Sequence, residues 1–147
     1  MISLIFQLSN LYILPWWLLM IVLPDWHATK RIVSSPWIIA PLAVPYTLLV
    51  APTFVDMLPT LMNPQLDALT QLVGTATGTT VAWIHIICFD LWVGRWVYMD
   101  SDTITLPGWI RRIVLLSVLM AGPFGALVYL VIRSVTVRQA ARVDAHH

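Results

Sequence analysis

The sequence predicts an all-α integral membrane protein: a four-helix bundle with proline-kinked helices and a short interfacial helix between the second and third spans. Of its 147 residues, 59% are hydrophobic and only 10% are charged, and the mean hydropathy is +0.83. Soluble domains usually carry about 25% charged residues. The composition therefore excludes most soluble enzymes and disordered tails, and the formal charge of +1 gives no support for a nucleic-acid partner.

Four stretches approach the roughly 20 apolar residues that a helix needs to cross the hydrocarbon core of a bilayer. The length suits one membrane domain, 1–147. The first stretch lacks a basic leader and a small-residue cleavage site, so we expect a retained helix. His146 and His147 are compatible with a tag remnant and are given no functional weight. The predicted spans are residues 2–24, 36–55, 80–99 and 108–132.

The segment between the second and third spans, residues 56–78, predicts the interfacial helix. Leu66, Leu69, Leu72 and Val73 fall on one helical face, as in helices that lie along a membrane surface. A fifth span here would bury several amide and carboxylate side chains, so we exclude it.

The basic residues of the short loops predict the orientation. Lys30 and Arg31 lie in the first loop and Arg111 and Arg112 in the third, whereas the middle loop has neither residue type. Because cytoplasmic loops are rich in Lys and Arg, loops 1 and 3 are expected in the cytoplasm. Three arginines in the C-terminal tail oppose this count. We expect a bacterial inner membrane or a photosynthetic membrane.

The third span carries the candidate catalytic residues His85, Asp90 and Arg95. An ionisable group near the centre of a bilayer costs a few kcal/mol at least, and the helical rise places Asp90 near the midplane. His85 and Asp90 are about 140° apart around the helix, so we expect them to flank a cavity rather than to touch. The structural alternatives are an interhelical hydrogen bond for His85 and, for Arg95, an interface anchor or a pair with Asp25 or Asp100.

Small, proline and aromatic residues at similar depth supply a candidate binding site. Gly94 lies one turn from Asp90 and leaves space beside it, and Pro123 kinks the last span and frees a carbonyl group. Core packing and helix kinking are the alternatives for these positions. The substrate-binding candidates are Asn10, Trp17, Tyr46, Trp83, Trp92, Gly94, Gly122 and Pro123.

The sequence predicts no metal site and leaves any cofactor open. His27 is expected at the opposite membrane face from His85, about 20 Å away by helical rise, which excludes a two-histidine site. Cys88 is the single cysteine and is interpreted as a small apolar filler.

Two segments resemble a known family: AWIHIICFDLWVGRW, residues 82–96, and GPFGALVYL, residues 122–130. The plant members of this family are called abscisic-acid-deficient 4, and they are plastid proteins required to make neoxanthin from violaxanthin. The resemblance covers nearly the whole chain. The plant proteins carry a transit extension before the first span, whereas this sequence starts at the first span, so a bacterial member is expected. The matching positions are Trp83, His85, Phe89, Asp90, Leu91, Gly94, Arg95, Trp96, Gly122, Pro123 and Gly125.

The resemblance implies an enzyme, or an essential subunit of one, that acts on a carotenoid or related isoprenoid dissolved in the bilayer. The plant reaction opens an epoxide and removes a proton, which requires an acid and a base, and Asp90 and His85 are the groups available. Bacteria do not generally make neoxanthin, so end-group isomerisation and polyene cleavage to an apocarotenoid such as retinal stay open. A non-enzymatic carotenoid-binding or scaffold subunit and a proton channel also stay open as functions. A homodimer is expected, because four short helices enclose little of a long polyene.

Overall fold

The computed structural model describes residues 1–144, and every regular element within them is helical. This confirms the all-α prediction; His146 and His147 lie outside the described residues. The α-helices are α1 Ile2–Val22, α2 His27–Ser34, α3 Ala40–Val50, α4 Phe54–Met62, α5 Leu66–Val73, α6 Ala76–Thr103, α7 Gly108–Met120 and α8 Gly122–Asp144. Short 3-10 helices precede α3 at Pro36–Ile39 and α4 at Ala51–Thr53.

Within residues 1–144, three segments are long and apolar enough to cross a membrane: Ile2–Val22, Pro36–Met62 and Ala76–Thr103. Only 22%, 11% and 22% of their most apolar windows are buried inside the protein. Outward-facing apolar side chains on helices of this length suit contact with lipid. The protein is a membrane protein.

The second span is longer than the sequence predicts, since it continues to Met62 instead of ending near residue 55. Its prolines interrupt it without ending it. Pro52 lies in a 3-10 turn, and Pro45 and Pro59 lie inside α3 and α4. Membrane helices tolerate proline because local 3-10 adjustments satisfy the backbone groups that it frees.

The predicted fourth span, 108–132, consists of two helices in the structure. Ala121 separates α7 from α8 with φ −155° and ψ 81°, and its N–H donates to Ser117 O at 2.9 Å. Pro123 is favourable in the first turn of α8 but would interrupt a continuous helix, because it has no N–H for the preceding turn. A full break therefore replaces the expected kink, and the crossing of 108–132 stays a prediction.

Two short helices complete the connections. The first loop contains α2, which the sequence analysis did not predict and which buries Thr29 and Val33, four residues apart on one face. The predicted helix between the second and third spans is present as α5, although Leu66 is 80% exposed. The location of α5 at a membrane interface stays a prediction.

The chain packs as two compact units. Residues 1–14 and 36–88 form the first unit, and residues 15–35 together with the chain from Phe89 onward form the second. Helices α1 and α6 each contribute residues to both units. That residues 1–147 form one membrane domain stays a prediction.

Candidate functional site

Asp90 is half-buried on α6 in the second unit, and its carboxylate has no hydrogen-bond or ion-pair partner among residues 1–144. It lies against Gly122, where a Cβ atom would overlap Oδ1 and lie 2.8 Å from Cγ. Gly122 is the first residue of α8. The carboxylate therefore sits at the positive end of the α8 dipole, which favours a negative charge there. The absence of a side chain at Gly122 is what allows this approach.

Gly94, one turn beyond Asp90, accommodates the ring of Trp17 in the same unit. A Cβ atom at Gly94 would lie 2.8 Å from Trp17 Cζ3 and 3.2 Å from Cζ2. Trp17 is only 2% exposed, and its indole N–H is buried with no hydrogen-bond partner in the described part of the chain. Trp17, predicted to line a binding site, thus fills the space that Gly94 leaves.

Arg95 is held by the backbone at the C-terminal end of α2. Its Nε donates to Val33 O at 2.8 Å, a terminal nitrogen donates to Ser34 O, and the guanidinium lies 5.7 Å from the ring centroid of Trp92. The last carbonyl groups of a helix lack intrahelical donors and carry partial negative charge, so a guanidinium satisfies them well. This contact ties α2 to α6.

The carboxylates proposed as partners of Arg95 are bonded to other arginines. Asp25 Oδ1 pairs with Arg111 at 2.9 Å, and Asp100 Oδ2 pairs with Arg133 at 2.6 Å. The guanidinium of Arg95 instead binds the two carbonyl oxygens of α2. The prediction that Arg95 forms an ion pair with Asp25 or Asp100 is therefore wrong. Arg95 instead contacts the C-terminal end of α2.

In the first unit, Asn10 and Trp83 are joined directly. The Trp83 indole N–H donates to Asn10 Oδ1 at 2.9 Å, and the Asn10 amide donates to Phe6 O at 2.7 Å. Phe6 also contacts the Trp83 ring, with centroids 6.0 Å apart. Both polar groups, which lie on segments apolar enough to cross a membrane, are thus satisfied within the protein.

Tyr46 and His85 meet at the wall of a cavity in the first unit. Their ring centroids are 5.6 Å apart and the planes are tilted by 49°. The cavity has a volume of about 350 Å³, and α3, α4, α5 and α6 all contribute to its lining. Its surface is mostly apolar, with His85 and Tyr46 among a few polar groups.

The structure thus distributes the predicted site residues between the two units. Asn10, Tyr46, Trp83 and His85 lie in the first unit. The second unit holds Trp17, Asp90, Trp92, Gly94, Arg95, Gly122 and Pro123. Pro123 is exposed and follows the first residue of α8. Among residues 1–144, no group of three or more His, Cys, Asp or Glu side chains is placed to hold a metal ion.

A charge cluster around one buried arginine in the second unit was not predicted from the sequence. Arg111 is 3% exposed, pairs with Asp102 at 2.6 Å and with Asp25, and lies over the Tyr98 ring. Lys30 pairs with Asp102 at 3.2 Å. From the sequence, Arg111 was interpreted only as a marker of membrane orientation. It lies two residues after Trp109, at the start of an apolar helix. An arginine at such a position can be either buried or exposed, so the sequence did not predict its burial.

Comparison with known proteins assigns the family. Residues 4–129 match the family described as ABA DEFICIENT 4-like. The chain belongs to this family. All the predicted catalytic and substrate-binding residues of this ABA DEFICIENT 4-like protein lie inside the matched region. The resemblance carried by the segments at 82–96 and 122–130 is thereby confirmed.

A curated relative of this ABA DEFICIENT 4-like protein comes from a plant. The Arabidopsis thaliana protein named Protein ABA DEFICIENT 4, chloroplastic is 30% identical over 105 residues, which is 67% of this chain and 48% of the plant protein. The chain thus spans about half the length of that relative. No solved structure matches the chain.

Proposed function

We propose that this protein is a membrane-embedded enzyme that isomerises a carotenoid or a related isoprenoid, with the Asp90 carboxylate as a catalytic group. One observation carries the proposal: Asp90 lies in the middle of a candidate span, half-buried and without a hydrogen-bond or ion-pair partner in residues 1–144. An unpaired carboxylate in such a segment is costly and typical of a functional site. Family membership supports the substrate class, because the resemblance on which it was predicted implies a carotenoid or a related isoprenoid.

The chemistry that the resemblance implies is an isomerisation, so it needs no oxidant or reductant. An acid delivers a proton to the epoxide oxygen as the C–O bond breaks, and a base removes a proton from carbon as a new C=C bond forms. Atoms and electrons balance within the substrate and the two protein groups. General acid–base catalysis of this kind contributes about 10²- to 10⁴-fold in rate.

Asp90 is proposed as either the acid or the base. That His85 supplies the other of these two groups stays a prediction from the sequence. Arg95 acts as a positioning residue in this proposal, because its guanidinium is occupied by the α2 carbonyl groups of Val33 and Ser34. The absence of a side chain at Gly122 is what lets the Asp90 carboxylate lie against the first residue of α8.

Pigment conversion in living cells tests the proposal. The protein is expressed in one host that accumulates β-carotene and in another that accumulates violaxanthin, and the extracted pigments are separated by chromatography. Asp90→Asn is the test variant. Asp67→Asn, an exposed carboxylate on α5, is the matched control. We expect a new pigment with the unmodified chain and with Asp67→Asn, and about 100-fold less or none with Asp90→Asn.

Two results would overturn the enzyme proposal. Pigment profiles that match the empty host in both strains contradict catalysis on these substrates. Carotenoid that co-purifies equally with the unmodified chain and with Asp90→Asn, without conversion, instead supports a carotenoid-binding or scaffold subunit. His85→Gln is measured in parallel, because its effect decides whether the imidazole has a chemical role.

The membrane setting is proposed from the same predictions. Loops 1 and 3 are placed in the cytoplasm, and the membrane is a bacterial inner membrane or a photosynthetic one. A homodimer is proposed because a polyene is long relative to four short helices. Cross-linking in native membranes measures the oligomeric state, and a strictly monomeric band contradicts the dimer.

A further inference from the structure

The cavity lined by Tyr46 and His85 has the size and lining of a small-molecule site. Its volume is about 350 Å³, within the roughly 300–1,000 Å³ typical of ligand pockets. Leu49 of α3, Leu61 of α4, Leu69 of α5 and Val81 of α6 supply much of an apolar surface. At about 30 Å³ per water-sized group, the space corresponds to about 12 non-hydrogen atoms.

Tyr46 lines the cavity and carries a hydroxyl group that has no partner in the described part of the chain. The Tyr46 hydroxyl makes no hydrogen bond within residues 1–144, although its ring contacts His85. Tyr46 lies within the candidate span Pro36–Met62. A hydroxyl without a partner is unfavourable in an apolar environment, so a ligand oxygen would satisfy it.

The covering helix α5 is held in place by specific contacts, so the cavity is a built feature. Thr75 caps α6, because its Oγ1 accepts the Gly78 N–H at 2.9 Å. Thr79 Oγ1 donates to Val73 O at 2.7 Å. A Cβ atom at Gly78 would overlap the Leu72 carbonyl group, so glycine lets the end of α5 lie directly on α6.

We propose that this cavity binds a compact cyclic apolar group that carries one oxygen, and that the Tyr46 hydroxyl hydrogen-bonds that oxygen. A cyclic group with about ten carbon atoms in total fills the volume. The rings of Tyr46 and His85, which are tilted relative to each other, form an aromatic wall for it. Only the identification of this cyclic group as part of a larger isoprenoid rests on the proposed function. Binding of the cyclic group itself can be measured in the absence of catalytic turnover.

The site is tested by equilibrium dialysis with three ten-carbon probes. The full chain is placed in lipid nanodiscs, and empty nanodiscs serve as the blank. Menthol is a cyclic alcohol, menthane is the same ring without oxygen, and decanol is a linear alcohol. We expect saturable binding of menthol above the blank and at least about 5-fold weaker binding of the other two. One neutral hydrogen bond accounts for about 2- to 13-fold in affinity.

Three variants connect this binding to the cavity. Tyr46→Phe removes the hydroxyl, and we expect it to weaken menthol binding about 5-fold and leave menthane unchanged. Ala82→Phe places a ring in the cavity, which Ala82 lines, and we expect it to abolish saturable binding. Leu48→Phe is the matched control, since Leu48 is 69% exposed on α3 and does not line this cavity.

The outcomes separate this proposal from the proposed function. Decanol bound as tightly as menthol, or menthol binding that Ala82→Phe leaves intact, would overturn the cyclic-ligand site. Menthol bound as proposed in a protein that converts no pigment supports the cavity and contradicts the enzyme. Pigment conversion without saturable menthol binding supports the enzyme and contradicts the cavity as a ligand site.

Discussion

Replacing Gly94 by alanine is expected to destabilise the protein, although the same change usually stabilises a helix. Alanine is favoured over glycine in a helix interior by about 0.8–1.0 kcal/mol. At Gly94 the new methyl group would meet the six-membered ring of Trp17, with 2.8 Å to Cζ3 and 3.2 Å to Cζ2. Trp17 is only 2% exposed, so the ring has little room to move away.

The magnitude follows from these two opposing effects. Forcing an extra methyl group into a packed site costs about 1–3 kcal/mol, and the rigid, buried partner favours the upper half of that range. After the helix-propensity gain is subtracted, we expect a net loss of about 1–2 kcal/mol. For a chain of this size, such a loss lowers the melting temperature by about 2–8 °C.

Thermal unfolding in detergent, followed by circular dichroism at a helix wavelength, measures this effect. Gly108→Ala is the control, because a Cβ atom at Gly108 meets nothing within 4 Å. In a Trp17→Leu background, which lacks the six-membered ring, Gly94→Ala should become neutral or stabilising. A Gly94→Ala protein as stable as the unmodified chain, or an unchanged effect in the Trp17→Leu background, refutes the packing argument.

Three further predictions concern Asp90 and the polar contacts of α1 and α6. Gly122→Ala should reduce pigment conversion as far as Asp90→Asn does, because the new methyl group overlaps the carboxylate; full conversion would contradict this. Arg95→Lys should speed amide deuterium exchange in α2, since an ammonium group replaces a guanidinium fork that binds two carbonyls; an unchanged exchange rate argues against this anchor. Asn10→Leu should cost about 0.6–2 kcal/mol of stability, because it removes a hydrogen bond between α1 and α6 whose indole donor is 39% exposed, and a melting temperature equal to that of the unmodified chain would show that this bond contributes nothing.

The sequence predicted the helices where hydrophobic length was the deciding quantity. α1 and α6 contain most or all of the predicted first and third spans, because a predominantly apolar run of about 20 residues forms a membrane helix in most contexts. The break at Ala121 was predicted only as a kink. Proline marks the position of a helix distortion, but its size depends on tertiary packing, here that of α7 against α8.

The individual site contacts were predicted less well, because they depend on pairing between distant segments. Depth along each helix correctly placed Gly122 beside Asp90. It could not show that Arg95 binds carbonyl groups of α2, since that helix was not predicted. Tyr46 and His85 were both predicted as site residues. The contribution of α4 and α5 to the cavity that they line was not predicted, because it depends on how these helices pack and not on local hydropathy.

The anchoring of residues 24–34 makes the first connection of the chain a poor protease target. Tyr98 donates to Pro24 O, Arg95 holds the end of α2, and salt bridges from Asp25 and Lys30 complete the attachment. A protease cuts backbone that has opened locally, and these contacts resist such opening. The segment 63–65 between α4 and α5 is exposed and lies outside both helices. Proteinase K added to sealed vesicles therefore cuts first at 63–65 when that side faces outward, and the fragment pattern gives the orientation of the protein in its membrane.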